Sequence, residues 1–208
     1  LDTKRKKMLS YEESLKILRE TNALQDGHFI LSSGLHSAQY VQCAQLLSKP
    51  YKSIEFCESL GEKISKELHE IDVILSPAMG GIVIGYEIGR LLKKETIFSE
   101  RVEGKFELRR GFKIFKNSKV LIVEDVITTG KSSIECSKLV EIAEAEVIGF
   151  ACLVDRTNGN SSINKKIVSQ IKINIPTYKE DALPENLISI TVTKPGSRNL
   201  KWVKLGLV

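Results

Sequence analysis

Apolar residues recur along the chain in the two spacings that separate helices from strands. Spacings of three and four residues predict helices over about residues 10–21 and 50–69, and the first begins with the capping-box pair Ser10 and Glu13. Short continuous apolar runs are typical of strands that are buried on both faces of a parallel sheet. Such runs lie at residues 120–123 and 147–154, and further strands of the same sheet are predicted at residues 71–76 and 96–99.

Helical spacing returns after two of these runs, at residues 82–92 and from residue 133 to about residue 144. An alternation of strands and helices predicts an α/β fold with a mostly parallel central sheet flanked by helices. Residues 27–42 alternate like a short hairpin, and residues 167–175 and 188–192 alternate like further strands. A chain of 208 residues is long enough for one sizeable domain and short for two.

Residues 120–133, VLIVEDVITTGKSS, carry the pattern with the most chemistry. Glu124 and Asp125 end an apolar strand, and ligands of open α/β sheets bind just beyond the carboxyl ends of strands. The next residues are mostly small, hydroxylated or glycine, and a helix follows them. A turn of this kind can present backbone N–H groups to a phosphate at a helix N-terminus. The alternative is an ordinary strand, acidic turn and helix.

Two better-known phosphate-binding motifs do not fit the sequence. The tripeptide Gly-Lys-Ser at residues 130–132 would end a P-loop only if a glycine stood in place of Asp125. The glycines in residues 77–81 do not have the spacing of a dinucleotide-binding loop. Their loop still allows backbone N–H groups to approach an anion, and tight packing of the strand on the helix is the alternative there.

Composition limits the classes of protein that are expected. The chain is 42% hydrophobic and 27% charged, and no apolar run is as long as a membrane span. The net charge of +5 is partly due to residues 4–7, which lack interleaved aromatic residues and predict a solvated tail rather than a nucleic-acid-binding arm. The four cysteines have no zinc-ligand spacing and predict reduced thiols in a cytoplasmic protein.

Residues 120–133 resemble the signature that binds phosphoribosyl pyrophosphate (PRPP) in type I phosphoribosyltransferases. The resemblance implies the fold of that family, with a small hood subdomain from about residues 25–45 and the C-terminal strands. It implies that Glu124 and Asp125 bind the ribose hydroxyls of PRPP and act in catalysis. It further implies PRPP contacts, centred on the 5-phosphate, from Val126, Ile127, Thr128, Thr129, Gly130, Lys131 and Ser132.

Two other segments resemble parts of the family members that use orotate. Residues 27–42 are similar to the hood segment that covers the base, which implies orotate contacts from Ser33 and Gly34. The loop after the strand at 71–76 is similar to the pyrophosphate loop, which implies that Met79 and Gly80 bind PRPP.

The remaining implied residues are basic, apart from Thr128, which is implied as an orotate contact. Arg156 matches the arginine that binds the carboxylate of orotate, and guanidinium groups bind carboxylates through two hydrogen bonds. Residues 100–112 predict a mobile surface loop or a hairpin. The resemblance implies that this loop closes over the active site of a neighbouring subunit and that Arg101 and Lys105 act in catalysis there.

The resemblance as a whole implies transfer of ribose 5-phosphate from PRPP to orotate, giving orotidine 5-monophosphate and pyrophosphate in the synthesis of UMP. It implies a homodimer and Mg²⁺ that is bound through PRPP and water, with no ligand directly from the protein. No nucleic-acid or membrane partner is expected. A purine phosphoribosyltransferase is one alternative, although it would lack the hood segment and Arg156. A non-catalytic, PRPP-binding transcription regulator is the other, and it requires a nucleic-acid-binding surface.

Overall fold

The computed structural model describes residues 8–31 and 33–195. Within these ranges the α-helices are Tyr11–Glu20 (α1), Cys43–Leu47 (α2), Pro50–Glu67 (α3), Gly80–Leu92 (α4), Lys131–Ile142 (α5) and Glu185–Ile188 (α6). The strands are Leu24–Ile30 (β1), His36–Val41 (β2), Val73–Pro77 (β3), Glu95–Val102 (β4), Lys105–Leu108 (β5), Lys119–Ile127 (β6), Glu146–Asp155 (β7), Ile167–Lys172 (β8), Thr177–Tyr178 (β9) and Val192–Thr193 (β10). None of the described helices combines the length and the apolar character needed to cross a bilayer.

The described residues form two compact units. The first contains residues 8–24 and 41–174, and the second contains residues 25–31, 33–40 and 175–195. A six-stranded sheet in the order β5-β4-β3-β6-β7-β8 forms the centre of the first unit. Its strands are parallel except for β5, which pairs antiparallel with β4. The carboxyl ends of β6 and β7 therefore lie side by side.

Helices cover both faces of this sheet. On one face, α5 packs over an apolar core whose members include Val120 and Ile122 of β6 and Cys136 of α5. On the other face, α4 lies so close that a Cβ at Gly81 would stand 3.0 Å from the backbone oxygen of Val123. Since successive side chains of a strand point to opposite faces, β6 contributes residues alternately to the two layers.

The second unit contains a small sheet in the order β10-β1-β2-β9. Two buried histidines of this sheet contact each other, with His28 Nε2 lying 2.7 Å from His36 Nδ1. His28 Nδ1 lies 3.2 Å from the backbone oxygen of Ile190. The Ser37 hydroxyl donates a hydrogen bond to the backbone oxygen of Pro176 at 3.1 Å. Polar bonds thus join the two halves of this unit, which are distant in sequence.

The predicted fold class and most of the predicted elements are confirmed. The capping box of α1 is present, with Ser10 Oγ accepting from the Glu13 N–H and the Glu13 carboxylate accepting from the Ser10 N–H. Proline 50 begins α3 as predicted, and each predicted strand of the main sheet is found with shifts of a few residues at its ends.

Two segments differ from their predictions, and in a third, residues 100–112, the predicted alternative of a hairpin is the one found. Helix α4 begins at Gly80 rather than at residue 82, because residues 80 and 81 lack side chains that would collide with β6. Residues 100–108 form a hairpin, since Glu103 (φ 46°) and Gly104 (φ 84°) make a tight turn between β4 and β5. The strand predicted at 188–192 was wrong for most of its length: Pro184 starts α6, which buries Leu187, and only β10 remains extended.

Candidate active site

The two acids at the end of β6 point to opposite faces of the sheet. Glu124 is on the α5 face, where the hydroxyl of Ser133 donates a hydrogen bond to its Oε1. Asp125 is on the α4 face, and a Cβ built at Gly80 would lie 2.8 Å from its Oδ2. Position 80 must therefore be glycine for α4 to begin against this carboxylate. Each acid contacts the first turn of a different helix.

Within the described residues, neither acid forms an ion pair with a cation. Glu124 is 9% exposed and Asp125 is half-buried, and no lysine or arginine among the described residues forms an ion pair with either. Burial raises the pKa of Glu124 to about 7, although the Ser133 hydroxyl opposes the shift. Burial also raises the pKa of Asp125, opposed by the N–H of Val126, which donates to Oδ1 at 2.9 Å. Buried acids of this kind are frequent at functional sites.

The turn after these acids leads directly into α5. Gly130, with φ at +79°, precedes the first helical residue, Lys131, and the exposed Thr129 accepts a hydrogen bond of 3.4 Å from the Lys131 N–H. A Cβ at Gly130 would lie 2.8 Å from Ile163, so close packing also requires glycine here. The first N–H groups of a helix have no partners within it. The turn therefore offers several donors to an anion.

The other residues implied for phosphate binding divide by exposure. Thr128 and Lys131 are exposed and Ser132 is half-buried, so their side chains are accessible. The side chain of Ile127 is only 1% exposed and belongs to the core. Ile127 can meet a ligand only through its backbone. Val126 is half-buried, and its N–H already bonds to Asp125.

Arg156 lies beside this turn. Its N–H donates a hydrogen bond of 2.8 Å to the backbone oxygen of Ile127, the residue before Thr128. The preceding residue, Asp155, is buried and accepts a 2.8 Å bond from the Thr157 N–H. The strand register thus brings Arg156 next to the turn between β6 and α5, as the sequence predicted from their places at the ends of neighbouring strands.

A cavity of about 470 Å³ opens near this strand end, between the segment after Arg156 and β8. Asp155, Ile163 and Lys172 are among the residues that line it, and neither acid of β6 does. Because Ile163 also packs against Gly130, the cavity adjoins the phosphate turn from outside. It does not contain the predicted catalytic groups.

The β4–β5 hairpin does not bring Arg101 to the acids. The Arg101 guanidinium forms an ion pair of 2.6 Å with Glu135 of α5, donates to the Gly104 oxygen and lies 4.1 Å above the Phe106 ring. Lys105 is exposed at the start of β5. In this conformation Arg101 joins the hairpin to α5.

Met79 and Gly80 form the start of α4, beside Asp125. Met79 is 81% exposed, and the peptide bond that joins it to Ala78 is cis. Ser33 and Gly34 belong to the second unit, where Gly34 has φ at +82° and donates a backbone bond of 2.9 Å to Leu31. Both are exposed in the turn between β1 and β2.

Sequence reasoning missed two groups that contact the acids. Ser133 was predicted as part of the turn and helix start that face an anion, and its bond to Glu124 was not predicted because it depends on where α5 lies against β6. Cys43 is buried, and its thiol lies 3.7 Å from the backbone oxygen of Asp125. Burial raises the pKa of this thiol well above its ordinary value. No local sequence signal identifies either contact.

A mostly parallel sheet ends here in two acids, with a glycine-containing turn and a helix start beside them, and this arrangement is consistent with a phosphoribosyl transferase domain. A family model of that description matches residues 50–184. Orotate phosphoribosyltransferase from Erythrobacter litoralis is 47% identical over 188 residues, covering 90% of this chain and 97% of the relative. The enzyme of the same description from Parvibaculum lavamentivorans is 43% identical over 193 residues, covering 92% of this chain and 100% of the relative. The chain belongs to the orotate phosphoribosyltransferase family.

Solved structures agree on the fold. Orotate phosphoribosyltransferase from Aeropyrum pernix superposes with a TM-score of 0.67 at 23% identity, covering 76% of this chain and 92% of that one. Adenine phosphoribosyltransferase from Thermoanaerobacter pseudethanolicus superposes with a TM-score of 0.58 at 19% identity, covering 65% of this chain and 88% of that one. Because enzymes for different bases share this fold, the sequence relatives and not the fold name the base.

Proposed function

We propose that this chain transfers the ribose 5-phosphate group of PRPP to N1 of orotate, forming orotidine 5-monophosphate and pyrophosphate for the synthesis of UMP. The observation that carries the proposal is a pair of acids at the point where β6 leads into α5, the buried Glu124 and the half-buried Asp125, which form no ion pair within the described residues. We infer that the base is orotate from the relatives that share 43–47% identity with the chain, which are named orotate phosphoribosyltransferase.

The proposed reaction places its positive charge next to these acids. As the bond between ribose C1 and the pyrophosphate oxygen breaks, charge develops on the ribose ring. A bond from C1 to N1 of orotate then forms, and the proton of N1 is released to solvent. We assign Glu124 and Asp125 to the ribose hydroxyls, where their negative charge stabilises the ring. Residues 126–132 hold the 5-phosphate, and Met79 and Gly80 contact the pyrophosphate.

Magnesium suits these groups without a cage of protein ligands. Within the described residues no three His, Cys, Asp or Glu side chains come together as a metal site. We propose that Mg²⁺ is held by oxygens of PRPP and by water, since this ion retains most of its waters. When bound, Mg²⁺ would neutralise charge on the departing pyrophosphate.

We assign four residues to orotate: Thr128, Arg156, Ser33 and Gly34. Arg156 is the specificity residue among them, because a guanidinium matches the two oxygens of a carboxylate. The backbone hydrogen bond from Arg156 to Ile127 supports this assignment, because Arg156 then lies next to the turn that we assign to the sugar phosphate.

We propose that Arg101 and Lys105 act on the pyrophosphate of a neighbouring subunit when the hairpin region moves. Arg101 must then leave Glu135, whose side chain is 26% exposed, and exposed ion pairs contribute only about 0–1 kcal/mol. Release of this arginine also breaks its hydrogen bond to the Gly104 oxygen and its contact with the Phe106 ring, so the ion pair is only one part of the cost.

Exposed apolar side chains on α3 and α4 support a homodimer. These two helices pack against each other. The exposed residues on these two helices, or at the start of α4, include Tyr51, Ile54, Met79, Val83 and Tyr86. Large exposed apolar patches mark interaction surfaces. We place the dimer in the cytoplasm, which agrees with four buried, unbridged cysteines. Sedimentation should give about twice the mass of a 23.3 kDa chain.

One assay tests the reaction directly. Mixing the protein with orotate, PRPP and Mg²⁺ should decrease the absorbance of orotate and release pyrophosphate, and omission of Mg²⁺ should stop both. Adenine, guanine and hypoxanthine, each supplied in place of orotate, serve as controls. Consumption of a purine with no change in orotate would contradict the proposed base, and loss of PRPP to water alone would contradict transfer.

A further inference from the structure

A residue of α5 restrains Glu124. Ser133, in the first turn of that helix, is fully buried, and its hydroxyl donates a hydrogen bond to Glu124 Oε1. Within the described residues no other side chain donates a hydrogen bond to this carboxylate. The position of one oxygen of Glu124 therefore depends on a residue of the helix whose N-terminus follows the phosphate turn.

The other groups around Glu124 do not supply this restraint. Asp125 is acidic and disfavours a second negative charge nearby. Cys152 stands opposite Glu124 on β7, and Cys136 lies on α5, where its sulfur is 3.2 Å from Ser99 Oγ. Burial raises the pKa of Cys136 to about 12 and that of Cys152 well above its ordinary value, so both thiols are neutral neighbours.

A hydroxyl donor has a definite effect on a buried carboxyl group. An ionised carboxylate only accepts hydrogen bonds, so a fixed donor favours the ionised form. Here the Ser133 hydroxyl lowers the pKa of Glu124, against the larger rise caused by burial. The ionised form is the one that can accept hydrogen bonds from two sugar hydroxyls.

We infer that Ser133 is a positioning residue for PRPP, because it holds Glu124 Oε1 against α5 and leaves Oε2 to accept from the ribose. The inference rests on the proposed function. It links the two ends of the bound sugar, since the helix that fixes the ribose acid is also the helix that begins at the 5-phosphate turn.

The experiment compares kcat/KM for PRPP across pH in the wild type and in Ser133→Ala. Loss of the hydroxyl should raise the KM for PRPP about tenfold near pH 7 and change the KM for orotate less than twofold. The acid limb of the pH profile of kcat/KM for PRPP should shift to higher pH by about one unit, because Glu124 ionises at a higher pH without the hydroxyl.

Two comparisons separate this role from a general loss of structure. Ser133→Thr and Ser133→Val have nearly the same shape, and only Thr keeps the hydroxyl, so Thr should retain the wild-type acid limb and Val should not. Ser137→Ala is a control on the same helix, where the hydroxyl bonds only to the Ile134 backbone oxygen. Thermal unfolding of each variant shows whether it is folded at the assay temperature.

The results distinguish the inference from the function on which it rests. If the wild type converts orotate but the Thr and Val variants share one acid limb, Ser133 does not position Glu124. Equal rises in the KM values for PRPP and orotate in Ser133→Ala would also overturn the inference. If the wild type itself does not convert orotate, the proposed function fails.

Discussion

Adjacent residues of β6 have different neighbours because a strand turns each successive side chain to the other face. Glu124 meets the Ser133 hydroxyl, whereas Asp125 meets the bare backbone of Gly80 and the N–H of Val126. Both acids have a raised pKa with burial as the largest cause, but only Glu124 has a side-chain donor. The two acids are therefore separable by mutation.

Replacing Asp125 by Asn keeps the size of the side chain and removes its charge. Turnover should fall about tenfold or more, since a charge next to the developing ribose cation is lost. Steady-state kinetics with orotate and PRPP measure the change. Asp72→Asn is the control, because Asp72 lies at the opposite end of the sheet, where its side chain accepts a hydrogen bond from the Lys119 N–H. Near-normal turnover in Asp125→Asn would remove this acid from the mechanism.

Arg156→Ala should raise the KM for orotate about tenfold or more, while the KM for PRPP stays within about twofold. The reason is that only orotate has a carboxylate for the guanidinium to bind. Arg156→Lys keeps the charge without the paired donors, so its KM for orotate should lie between those of the wild type and Arg156→Ala. Equal effects on both substrates would argue against a carboxylate-binding role.

At the scale of elements, α4 is placed by glycines at every fourth position. Gly81, Gly85 and Gly89 face the sheet. A Cβ at any of them would crowd atoms of β3, β4, β6 or the segment that joins α4 to β4. This close approach allows the first residue of α4 to touch Asp125. The packing of the helix thus sets the geometry of the site.

Two buried glycines provide a matched test of this packing. A Cβ at Gly89 would lie 3.0 Å from the backbone oxygen of Lys94, whereas one at Gly61 of α3 would lie 3.4 Å from the side chain of Leu91. Alanine favours a helix by about 1 kcal/mol over glycine, but overpacking costs roughly 1–3 kcal/mol. In urea unfolding, Gly61→Ala should be neutral or stabilising and Gly89→Ala destabilising. The reverse order would mean that α4 lies farther from the sheet.

For the whole molecule, the two acids of β6 oppose folding whenever they are ionised. The pKa of Glu124 is about 7 in the folded protein and near 4.5 when the chain is unfolded. Between these values the folded state binds more protons than the unfolded state, so the stability contributed by this residue decreases as pH rises. Asp125 acts in the same direction. The site is therefore maintained at a cost to stability, which is common for active sites.

Glu124→Gln tests this linkage. The amide cannot ionise but can still accept the Ser133 hydrogen bond, so the variant should match the wild type in stability at about pH 4, below the pKa of the unfolded chain. At about pH 8 it should be more stable by on the order of 1–3 kcal/mol. Thermal unfolding without ligand at both pH values measures the difference. A gain of equal size at the two pH values would contradict the raised pKa.

Much of the fold and part of the site could be predicted from local pattern. Apolar runs predicted the sheet strands because burial on both faces excludes polar residues, and the acids after residue 123 marked the edge where ligands bind. The glycine-containing turn before α5 was also evident, since few residues adopt the φ that Gly130 has. The strand predicted at 188–192 failed because alternation there did not reflect burial: Ile188 and Ile190 are exposed.

The sequence by itself determined the order of the elements, the acids at the end of β6 and the turn that follows them, because these depend on neighbours along the chain. Only the tertiary structure decided that Ser133 restrains Glu124, that Gly80 lies against Asp125 and that Arg101 pairs with Glu135. These contacts depend on strand order and on the distance between helix and sheet. Packing of the whole domain sets both, and no local pattern encodes them.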